Sequence, residues 1–450
     1  MPYRIAIVGS GPAGFYAAGQ LLAADLDVEV DLFERLPTPW GLVRLGVAPD
    51  HPNIKAVSRV FEKIAAKPGF RFLGNVEVGR DLSTEELHSL YDGVIYAFGA
   101  QTDRRMGIPG EDLPGSWPAT AFVAWYNGHP DFQSVAFDLN CETAVVVGNG
   151  NVAVDVARML ALTPEELAPT DTTDAAIAAI NSSSIREVVV LGRRGPAQAA
   201  FTNPELVELT ELAGADLIID PADLVLDAAS EASLAADAMA QRNLDVLRQA
   251  AAKPPEGRAR RVTLRFLASP VEILGTGRVE AVDVVRNRLE VVDGRVVSVA
   301  TDERETIPCG LVLRSVGYLG SGIPGLPFDE RRGVIPNDRG RVVGSDGVPV
   351  PGVYTAGWIK RGPSGVIGTN KKDATETVEL LLGDARAGRL PRVGATAEDV
   401  DALLAERGAE VVTNEGWQRI DGAERAAGEA QGRPRVKLTG WEELVAVARG

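Results

Sequence analysis

Two glycine-rich turns constrain the fold of this chain more than any other feature. The first, GSGPAG at residues 9–14, follows the apolar run RIAIV and precedes a helical pattern. This strand–turn–helix order is the fingerprint of a dinucleotide-binding unit, in which Gly9 permits a tight turn, Gly11 lets a pyrophosphate approach the backbone, and Gly14 permits close helix–strand packing. The next predicted strand, VEVDLFE, ends in Glu34, where a carboxylate binds ribose hydroxyls.

The second turn, GNGNVA at residues 148–153, repeats the pattern with alanine in its last position. It follows the apolar run TAVVV, and the strand after it, Glu187 to Leu191, leads into Gly192, Arg193 and Arg194. Two guanidinium groups thus stand where the first unit has an acid. A carboxylate would repel a 2′-phosphate, whereas arginine binds its oxygens bidentately. The pair therefore favours NADP(H) over NAD(H), and a solvated arginine pair at a strand end is the alternative.

Two such fingerprints in one chain imply two nucleotides, a resident FAD on the first and a passing NADP(H) on the second. VIYAFGAQ at 94–101 and GVYTAG at 352–357 each predict a strand and turn of the first domain. The fold class is therefore α/β, with two Rossmann-like dinucleotide-binding domains and the NADP domain inserted into the FAD domain. The expected boundaries are 1–100 for the first part of the FAD domain, 101–316 for the NADP domain, and 317–450 for the second part with a C-terminal extension. The strands from RVTLRFLASPVEIL to TIPCGLVLRSVG are expected to complete the NADP-domain sheet.

Composition excludes several classes of function. The net charge of −16 argues against nucleic acid as the main partner. Two distant cysteines, Cys141 and Cys309, exclude a disulfide framework and a four-cysteine cluster, and they fit a reducing cytoplasm. Three histidines are too few for a histidine-rich metal site, so no metal is expected. No apolar stretch is long enough to span a membrane.

A third motif, GPSG at residues 362–365, predicts the start of a helix whose first turn includes Val366 and Ile367. The free N–H groups of a helix N-terminus carry partial positive charge and stabilise nearby negative charge. If this helix end faced the pyrimidine edge of a flavin, its backbone N–H groups alone would stabilise the negative charge of the reduced flavin. A glycine–proline loop without a ligand is the alternative.

Over nearly its whole length the chain resembles the adrenodoxin reductase-like ferredoxin–NADP⁺ reductases, and in particular their actinobacterial members. The resemblance is carried by PTPWGLVRLGVAPDHPNIK (37–55), VGNGNVAVDVAR (147–158), GRRGPAQAAFTNPEL (192–206), GWIKRGPSGVIGTNKKDA (357–374) and the tail GRPRVKLTGWEEL. It implies an FAD-dependent enzyme in which NADPH gives a hydride to FAD and single electrons then pass to an iron–sulfur ferredoxin.

The resemblance also implies roles for individual residues. FAD contacts are expected at Gly9, Gly11, Ala13, Gly14, Glu34, Leu42, Val78, Trp358, Gly365, Val366 and Ile367, with Gly365 also meeting the nicotinamide. NADP(H) contacts are expected at Arg104, Gly148, Asn149, Gly150, Asn151, Val152, Arg193, Arg194 and Glu205.

A histidine and a glutamate near the flavin, His51 and Glu208 here, are the catalytic residues that the resemblance implies. Because hydride transfer needs no protein acid or base, we expect them to orient the nicotinamide or to handle flavin protons. From the residues alone, His51 also fits a surface loop and Glu208 a solvated helix face. Glu205 also fits a capping box with Thr202 or Asn203 as the helix cap.

Ferredoxins are usually acidic, so the resemblance predicts a basic docking patch on this chain. Its candidates are Arg258, Arg260, Arg261, Lys360, Arg361, Lys371 and Lys372, each of which also fits an ordinary solvated surface. A flavoprotein disulfide reductase would need a closely spaced cysteine pair, which the sequence lacks. A flavin monooxygenase with another acceptor and a non-catalytic electron-transfer subunit stay open as alternatives.

Overall fold

The structure is a computed structural model that describes residues 1–235 and 237–450. These residues form two compact units. The first unit contains Met1–Arg104 and Gly317–Gly450, and the second contains Arg105–Val316.

The strands of the described residues range from two to fourteen residues in length. They are β1 (Tyr3–Val8), β2 (Val28–Glu34), β3 (Phe70–Gly74), β4 (Gly93–Tyr96), β5 (Thr102–Asp103), β6 (Ser116–Pro118), β7 (Thr143–Val147), β8 (Glu187–Leu191), β9 (Ala215–Ile219), β10 (Arg260–Arg265), β11 (Ala268–Leu274), β12 (Ala281–Val292), β13 (Arg295–Pro308), β14 (Leu311–Arg314), β15 (Tyr318–Leu319), β16 (Asn337–Asp338), β17 (Arg341–Val343) and β18 (Pro349–Thr355).

The helices alternate with these strands along most of the chain. They are α1 (Pro12–Leu21), α2 (Leu42–Leu45), α3 (Pro52–Lys55), α4 (Ser58–Ala65), α5 (Thr84–Leu90), α6 (Ala119–Tyr126), α7 (Asn151–Ala161), α8 (Pro164–Leu167), α9 (Asp174–Asn181), α10 (Asn203–Thr210), α11 (Ala228–Ala235), α12 (Ala238–Ala251), α13 (Trp358–Arg361), α14 (Ile367–Arg386), α15 (Ala397–Glu406), α16 (Asn414–Glu429) and α17 (Trp441–Arg449). None of the helices in the described ranges is long and apolar enough to cross a membrane.

The first unit is built on a seven-stranded sheet with the order β16-β17-β18-β4-β1-β2-β3. The five strands from β18 to β3 run parallel, and β17 and β16 extend the sheet antiparallel. The central strand β1 has β2 on one side and β4 on the other. In an open parallel sheet, ligands bind beyond the carboxyl ends of the strands at such a switch in strand order.

The second unit repeats this plan with a six-stranded parallel sheet of order β6-β14-β7-β8-β10-β9. Here β7 lies at the switch in strand order, with β8 on one side and β14 on the other. The two sheets confirm the predicted α/β class with two dinucleotide-binding folds. The expectation that the late strands complete the second sheet is only partly right, because β11, β12 and β13 form a separate antiparallel sheet.

A buried carboxylate joins helix α14 to the sheet of the first unit. Asp384 accepts hydrogen bonds from Arg341 on β17 (2.7 and 2.9 Å), from the hydroxyl of Tyr354 on β18 (2.7 Å), and from Arg389 (2.6 and 2.9 Å). Burial opposes ionisation of Asp384, but these hydrogen bonds outweigh it and hold the pKa of the carboxyl well below its ordinary value. The ionised form therefore stabilises the folded unit.

Replacing this carboxylate gives a test of the fold. We expect Asp384→Asn to lower the free energy of unfolding at pH 7 by about 2 kcal/mol, because it weakens several charged hydrogen bonds. Since folding lowers the pKa of Asp384, its stabilisation is complete above the unfolded value of 3.8 and is lost as the pH falls below it. Denaturant unfolding should thus show a smaller difference between wild type and variant at pH 3. An equal difference at pH 3 and pH 7 would contradict this account.

Candidate functional site

The first glycine-rich turn connects β1 to α1 in the way that the fingerprint predicts. Gly9 has φ 107°, and a Cβ there would lie 2.6 Å from Cα of Phe98. At Gly14 a Cβ would lie 2.0 Å from the carbonyl oxygen of Gly9, so the helix packs tightly on the strand. Gly11, by contrast, faces open space, since a Cβ would meet no protein atom within 4 Å. The turn therefore leaves room for a phosphate at Gly11 only, beside the N-terminus of α1.

Glu34 ends β2 beside this turn. One carboxylate oxygen accepts hydrogen bonds from the backbone N–H (3.1 Å) and hydroxyl (2.6 Å) of Ser10, and the other accepts from the N–H of Leu36 (3.1 Å). A carboxylate has about four acceptor positions. The three protein donors therefore fix the orientation of Glu34 and leave it able to accept from a ribose hydroxyl.

The region around Trp358 contains an unsatisfied donor. The indole nitrogen of Trp358 is buried and has no hydrogen-bond partner among the described residues, and its ring lies 5.6 Å from that of Tyr318. A buried donor without an acceptor is costly to folding. A ligand with ring nitrogens and carbonyl oxygens, such as a flavin, fits this position because it supplies acceptors.

Helix α14 begins at Ile367, as the GPSG motif predicts. Gly365 has φ 80°, and a Cβ there would lie 2.5 Å from the hydroxyl oxygen of Thr369. The N–H of Val366 donates to that hydroxyl at 3.2 Å, while the Val366 side chain is 58% exposed. The entry to the helix is thus tightly turned and its apolar side chain is open to a ligand.

The remaining predicted residues of the first unit differ in exposure. Ala13 lies in α1, where a Cβ on Gly357 would come within 2.7 Å of it. Leu42 is exposed although apolar, and Val78 is buried. His51 is buried at the start of α3, so the alternative of a solvated loop histidine is wrong.

The second turn has the same steric pattern as the first. Gly148 has φ 130°, and a Cβ there would lie 2.2 Å from the carbonyl oxygen of Ser315. Gly150 faces open space as Gly11 does, and α7 begins at the next residue. The amide nitrogen of Asn149 is buried without a partner among the described residues. The turn therefore offers space and an unused donor for a second phosphate group.

Two other predicted contacts of this turn have defined surroundings. The amide oxygen of Asn151 accepts from the N–H of Thr202 (2.7 Å), which ties the start of α7 to the start of α10. Val152 is half-buried in the first turn of α7.

Arg104 is exposed and belongs to the first unit, where its N–H donates to the carbonyl of Gly317 (2.9 Å).

Arg193 and Arg194 follow β8 with their backbones fixed and their side chains unpaired. The carbonyl of Arg193 accepts from Asn287 (2.8 Å), and that of Arg194 accepts from the N–H of Leu267 (3.1 Å). Within the described residues neither guanidinium forms an ion pair. Burial and the neighbouring charge of Arg193 lower the pKa of Arg194. Two cations held side by side without a carboxylate form a site for an anion.

The acids predicted on α10 share one buried arginine. Arg158 of α7 forms ion pairs with Asp155 (3.0 Å), Glu205 (3.4 Å) and Glu208 (3.0 Å). Arg158 is 2% exposed, whereas the side chain of Glu208 is 40% exposed. Arg158 was not among the residues predicted for the site. Its spacing of three from Asp155 within VAVDVARMLA is the signal that could have revealed it.

The capping prediction for α10 is wrong. Thr202 is the N-cap residue but accepts no side-chain capping hydrogen bond, and the side chain of Asn203 donates to Asn243 (3.1 Å). Glu205 is buried and pairs with Arg158 instead of closing a capping box. Pro204 lies in the first turn of α10.

The chain is similar in sequence to known flavin- and nicotinamide-dependent reductases. The model of the pyridine nucleotide-disulphide oxidoreductase family matches residues 3–168. The NADPH-ferredoxin reductase FprA of Mycobacterium tuberculosis is 53% identical over 463 aligned residues, which cover 100% of both chains. The chain belongs to the NADPH-ferredoxin reductase family. The human mitochondrial NADPH:adrenodoxin oxidoreductase is 44% identical, over 98% of this chain and 91% of that protein.

A solved structure of this family, Mycobacterium tuberculosis FprA in complex with NADPH, matches the whole chain. It is 52% identical, covers 100% of both chains and superposes with a TM-score of 0.95. The predicted resemblance to the actinobacterial reductases is therefore confirmed.

Five of the seven basic residues expected to dock a partner bind to groups of the chain itself. Arg260 is half-buried and donates to the carbonyl oxygens of Leu160 (3.1 Å) and Leu162 (2.8 Å) at the end of α7. Lys360 is 7% exposed and forms ion pairs with Asp373 (3.1 Å) and Glu376 (2.7 Å).

Three more of these candidates are paired with acids: Arg258 with Glu256, Arg261 with Glu187, and Arg361 with Asp373. Lys371 and Lys372 are exposed on α14, and neither has an ion pair in the described ranges. Of the predicted patch, these two lysines are left as candidates.

The first turn gives a prediction that separates folding from cofactor binding. In Gly11→Ala the new Cβ meets no protein atom, so we expect the apoprotein to unfold at nearly the wild-type temperature while FAD binds at least about tenfold more weakly. In Gly14→Ala the Cβ collides with the backbone of Gly9, so we expect the folded state itself to lose about 1–3 kcal/mol. Thermal unfolding of the apoproteins and flavin titration measure both. Equal unfolding temperatures for the two variants would contradict this assignment.

The unpaired arginines give a prediction about nucleotide choice. We expect Arg193→Ala/Arg194→Ala to raise the half-saturating NADPH concentration at least about tenfold, because charged hydrogen bonds to a 2′-phosphate are lost. NADH, which lacks that phosphate, should be affected less than about twofold. Arg261→Ala, which removes a surface arginine of the same unit, is the control. Equal losses for both nucleotides would show that the pair does not select the phosphate.

Proposed function

We propose that this chain is an FAD-dependent NADPH:ferredoxin oxidoreductase. The observation that carries the proposal is a difference between two similar units. The strand after the first turn ends in an acid, whereas the strand after the second turn leads into two unpaired arginines. FAD held by this chain would supply the redox chemistry that links a two-electron donor, NADPH, to a one-electron acceptor. The full-length similarity to NADPH-ferredoxin reductases supports this reaction and its acceptor.

The first unit would hold FAD. Gly9, Gly11 and Gly14 shape the seat for its pyrophosphate, and Glu34 would accept from its ribose. Trp358 would donate its unused indole N–H, and the N-terminus of α14, with Gly365, Val366 and Ile367, would place backbone N–H groups near the isoalloxazine. Leu42 and Val78 would contact the adenine side of the cofactor.

The second unit would hold NADPH. Gly150 leaves the space for its pyrophosphate at the N-terminus of α7, and Gly148 lets the turn pack closely against Ser315. Asn149, Asn151 and Val152 would contact the nucleotide. Arg193 and Arg194 would bind its 2′-phosphate, which makes them the residues that choose NADPH. We propose Glu205, held in place by Arg158, as a further contact of this unit. The other contact that the resemblance implies, Arg104, belongs to the first unit.

His51 and Glu208 would assist hydride transfer by orienting the nicotinamide or by holding a proton near the flavin. Both are fixed well enough for this role, His51 by burial and Glu208 by its ion pair with Arg158. Neither forms or breaks a bond to the hydride.

Thiol chemistry of the disulfide-reductase type is not supported by the two cysteines. Burial raises the pKa of Cys309 to about 12 and also raises that of Cys141. A thiol attacks a disulfide as the thiolate, and these groups stay protonated at neutral pH. Both cysteines are free, which fits our proposal that the protein acts in the cytoplasm.

We propose an acidic iron–sulfur ferredoxin as the electron acceptor, with Lys371 and Lys372 in its docking surface. Both ammonium groups are exposed near the beginning of α14, the helix whose N-terminus would face the flavin. Complementary charge raises the rate of protein association more than it raises final affinity.

A measurement of electron transfer tests the proposed function. We expect NADPH alone to reduce the purified flavoprotein, and cytochrome c reduction to accelerate strongly when a ferredoxin is added. If ferredoxin has no effect while NADPH still reduces the flavin, the acceptor assignment is wrong and another acceptor, such as oxygen in a monooxygenase, must replace it.

The catalytic assignment predicts a partial loss of rate. His51→Ala should bind FAD fully and reduce it with NADPH about 10-fold more slowly, the low end of general acid–base effects. His129→Ala, in a different unit, serves as the control and should retain the wild-type rate. A fully flavinated His51→Ala protein with no activity would contradict a purely assisting role.

The docking assignment predicts a dependence on salt and charge. Lys371→Gln/Lys372→Gln should raise the half-saturating ferredoxin concentration about fivefold and flatten its dependence on ionic strength. Lys63→Gln/Lys253→Gln changes the net charge equally at other exposed lysines and should have little effect. Equal effects of the two double variants would show that only net charge matters.

A further inference from the structure

A strained tryptophan lies against the first phosphate turn. Trp40 has φ 84°, a region that residues other than glycine rarely adopt, and its N–H donates to the carbonyl of Ser10 at 3.0 Å. The next residue, Gly41, has φ 50°, and a Cβ there would lie 3.0 Å from Cα of Gly11. Since Gly11 is where the FAD pyrophosphate would approach, the backbone of Trp40 and Gly41 lies directly beside the cofactor seat.

The indole of Trp40 is held by the C-terminal part of the chain. The side chain is 4% exposed, and its ring meets Trp417 of α16 edge to face with centroids 4.9 Å apart. The guanidinium of Arg435 lies 5.7 Å from the centroid of the same ring. A strained backbone conformation persists only where its surroundings fix it, and here those surroundings come from residues beyond 410.

The same short segment is fixed a second time through Arg44. This buried arginine donates two parallel hydrogen bonds to Glu424, at 2.8 and 2.5 Å. Glu424 also accepts from Arg435 (2.9 Å) and from the N–H of Leu438 (2.9 Å). The carbonyl of Arg44 accepts from the ammonium of Lys437 (3.2 Å). Helix α2, which begins at Leu42, is thus bound on its charged side to the C-terminal region.

The electrostatic balance keeps this cluster ionised. Glu424 is fully buried, which opposes its charge, but the charges and hydrogen bonds of Arg44 and Arg435 outweigh burial and lower its pKa. Burial likewise opposes the charge of Arg435, and Glu424 and Asp421 outweigh it and raise the pKa of the guanidinium. Arg435 contacts both acids through one nitrogen, at 2.9 and 2.7 Å. Removing one member would leave an uncompensated buried charge.

We propose that Arg44, Asp421, Glu424 and Arg435, the C-terminal clamp, are positioning residues for FAD. They hold Trp40 and Gly41 against the phosphate turn and so keep the cofactor seat in its binding conformation. None of the four needs to touch FAD, because the clamp acts through the indole and backbone of Trp40. The inference rests on the proposed function, since it assumes that FAD binds at the first turn.

The test is the affinity of the full-length apoprotein for FAD, measured by flavin fluorescence. Arg435→Met should raise the FAD dissociation constant about tenfold, because apparent affinity falls in proportion to the fraction of molecules with a competent seat. Arg435→Lys should bind within about threefold of wild type, since one ammonium nitrogen can contact both acids as the single guanidinium nitrogen does. Arg449→Met, which removes an exposed arginine paired with Glu410 in the same region, is the matched control and should bind normally.

Two further readouts separate positioning from general damage. The half-saturating NADPH concentration of the FAD-saturated variant should stay at the wild-type value. Adding FAD raises the unfolding temperature, and the variant should lose more of this rise than it loses in the unfolding temperature of the apoprotein. If Arg435→Met does not fold, Asp421→Asn removes only one of its two acids and should weaken FAD binding about threefold.

Two results would overturn the inference: a folded Arg435→Met or Asp421→Asn protein that binds FAD as tightly as wild type, or an equal loss in Arg449→Met. If wild type itself binds no FAD, the proposed function fails. Tight FAD binding by both wild type and variant would instead leave the proposed function intact and overturn only the role of the clamp.

Discussion

A turn that packs a strand closely against a helix and leaves its middle glycine open is the constraint on which both units depend. At Gly11 and Gly150 a Cβ would meet no protein atom, which leaves room for the phosphates that we propose there, while Gly9, Gly14 and Gly148 let strand, turn and helix meet without collision. The sheets then place each turn where strand order switches sides, beside β1 in one unit and β7 in the other. The helix that follows contributes free N–H groups at the same point. Fold and nucleotide binding are therefore consequences of the same short sequence.

The two units differ in charge rather than in shape. Glu34 is oriented by three donors from its own turn and offers acceptors to a ribose. Arg193 and Arg194 have no acid in the described residues to neutralise them, and they follow the equivalent strand. Glu34 would repel a 2′-phosphate and the arginines would bind it, and this difference in charge is the basis on which we propose that FAD binds the first unit and NADPH the second.

Local pattern predicted the parts of the molecule that local chemistry determines. The strands before the two turns, the end of β2 at Glu34 and the start of α14 were all predicted correctly because neighbouring residues decide them. The strands β11 to β13 were assigned to the wrong sheet, because alternation of apolar and polar residues predicts a strand but not the sheet that it joins. Arg260 was misread because its acceptors, Leu160 and Leu162, lie about a hundred residues earlier in the chain. The pairing of Arg44 with Glu424 spans 380 residues and left no sequence signal.

Anaerobic titration of the purified yellow protein with NADPH and with NADH tests the central claim most directly. The account predicts that NADPH reduces the flavin at far lower concentration than NADH, because the second unit recognises the 2′-phosphate while the first holds FAD. Equal reduction by both nucleotides would contradict the charge-based division of the two sites. A protein that carries no flavin would contradict the assignment of the first unit.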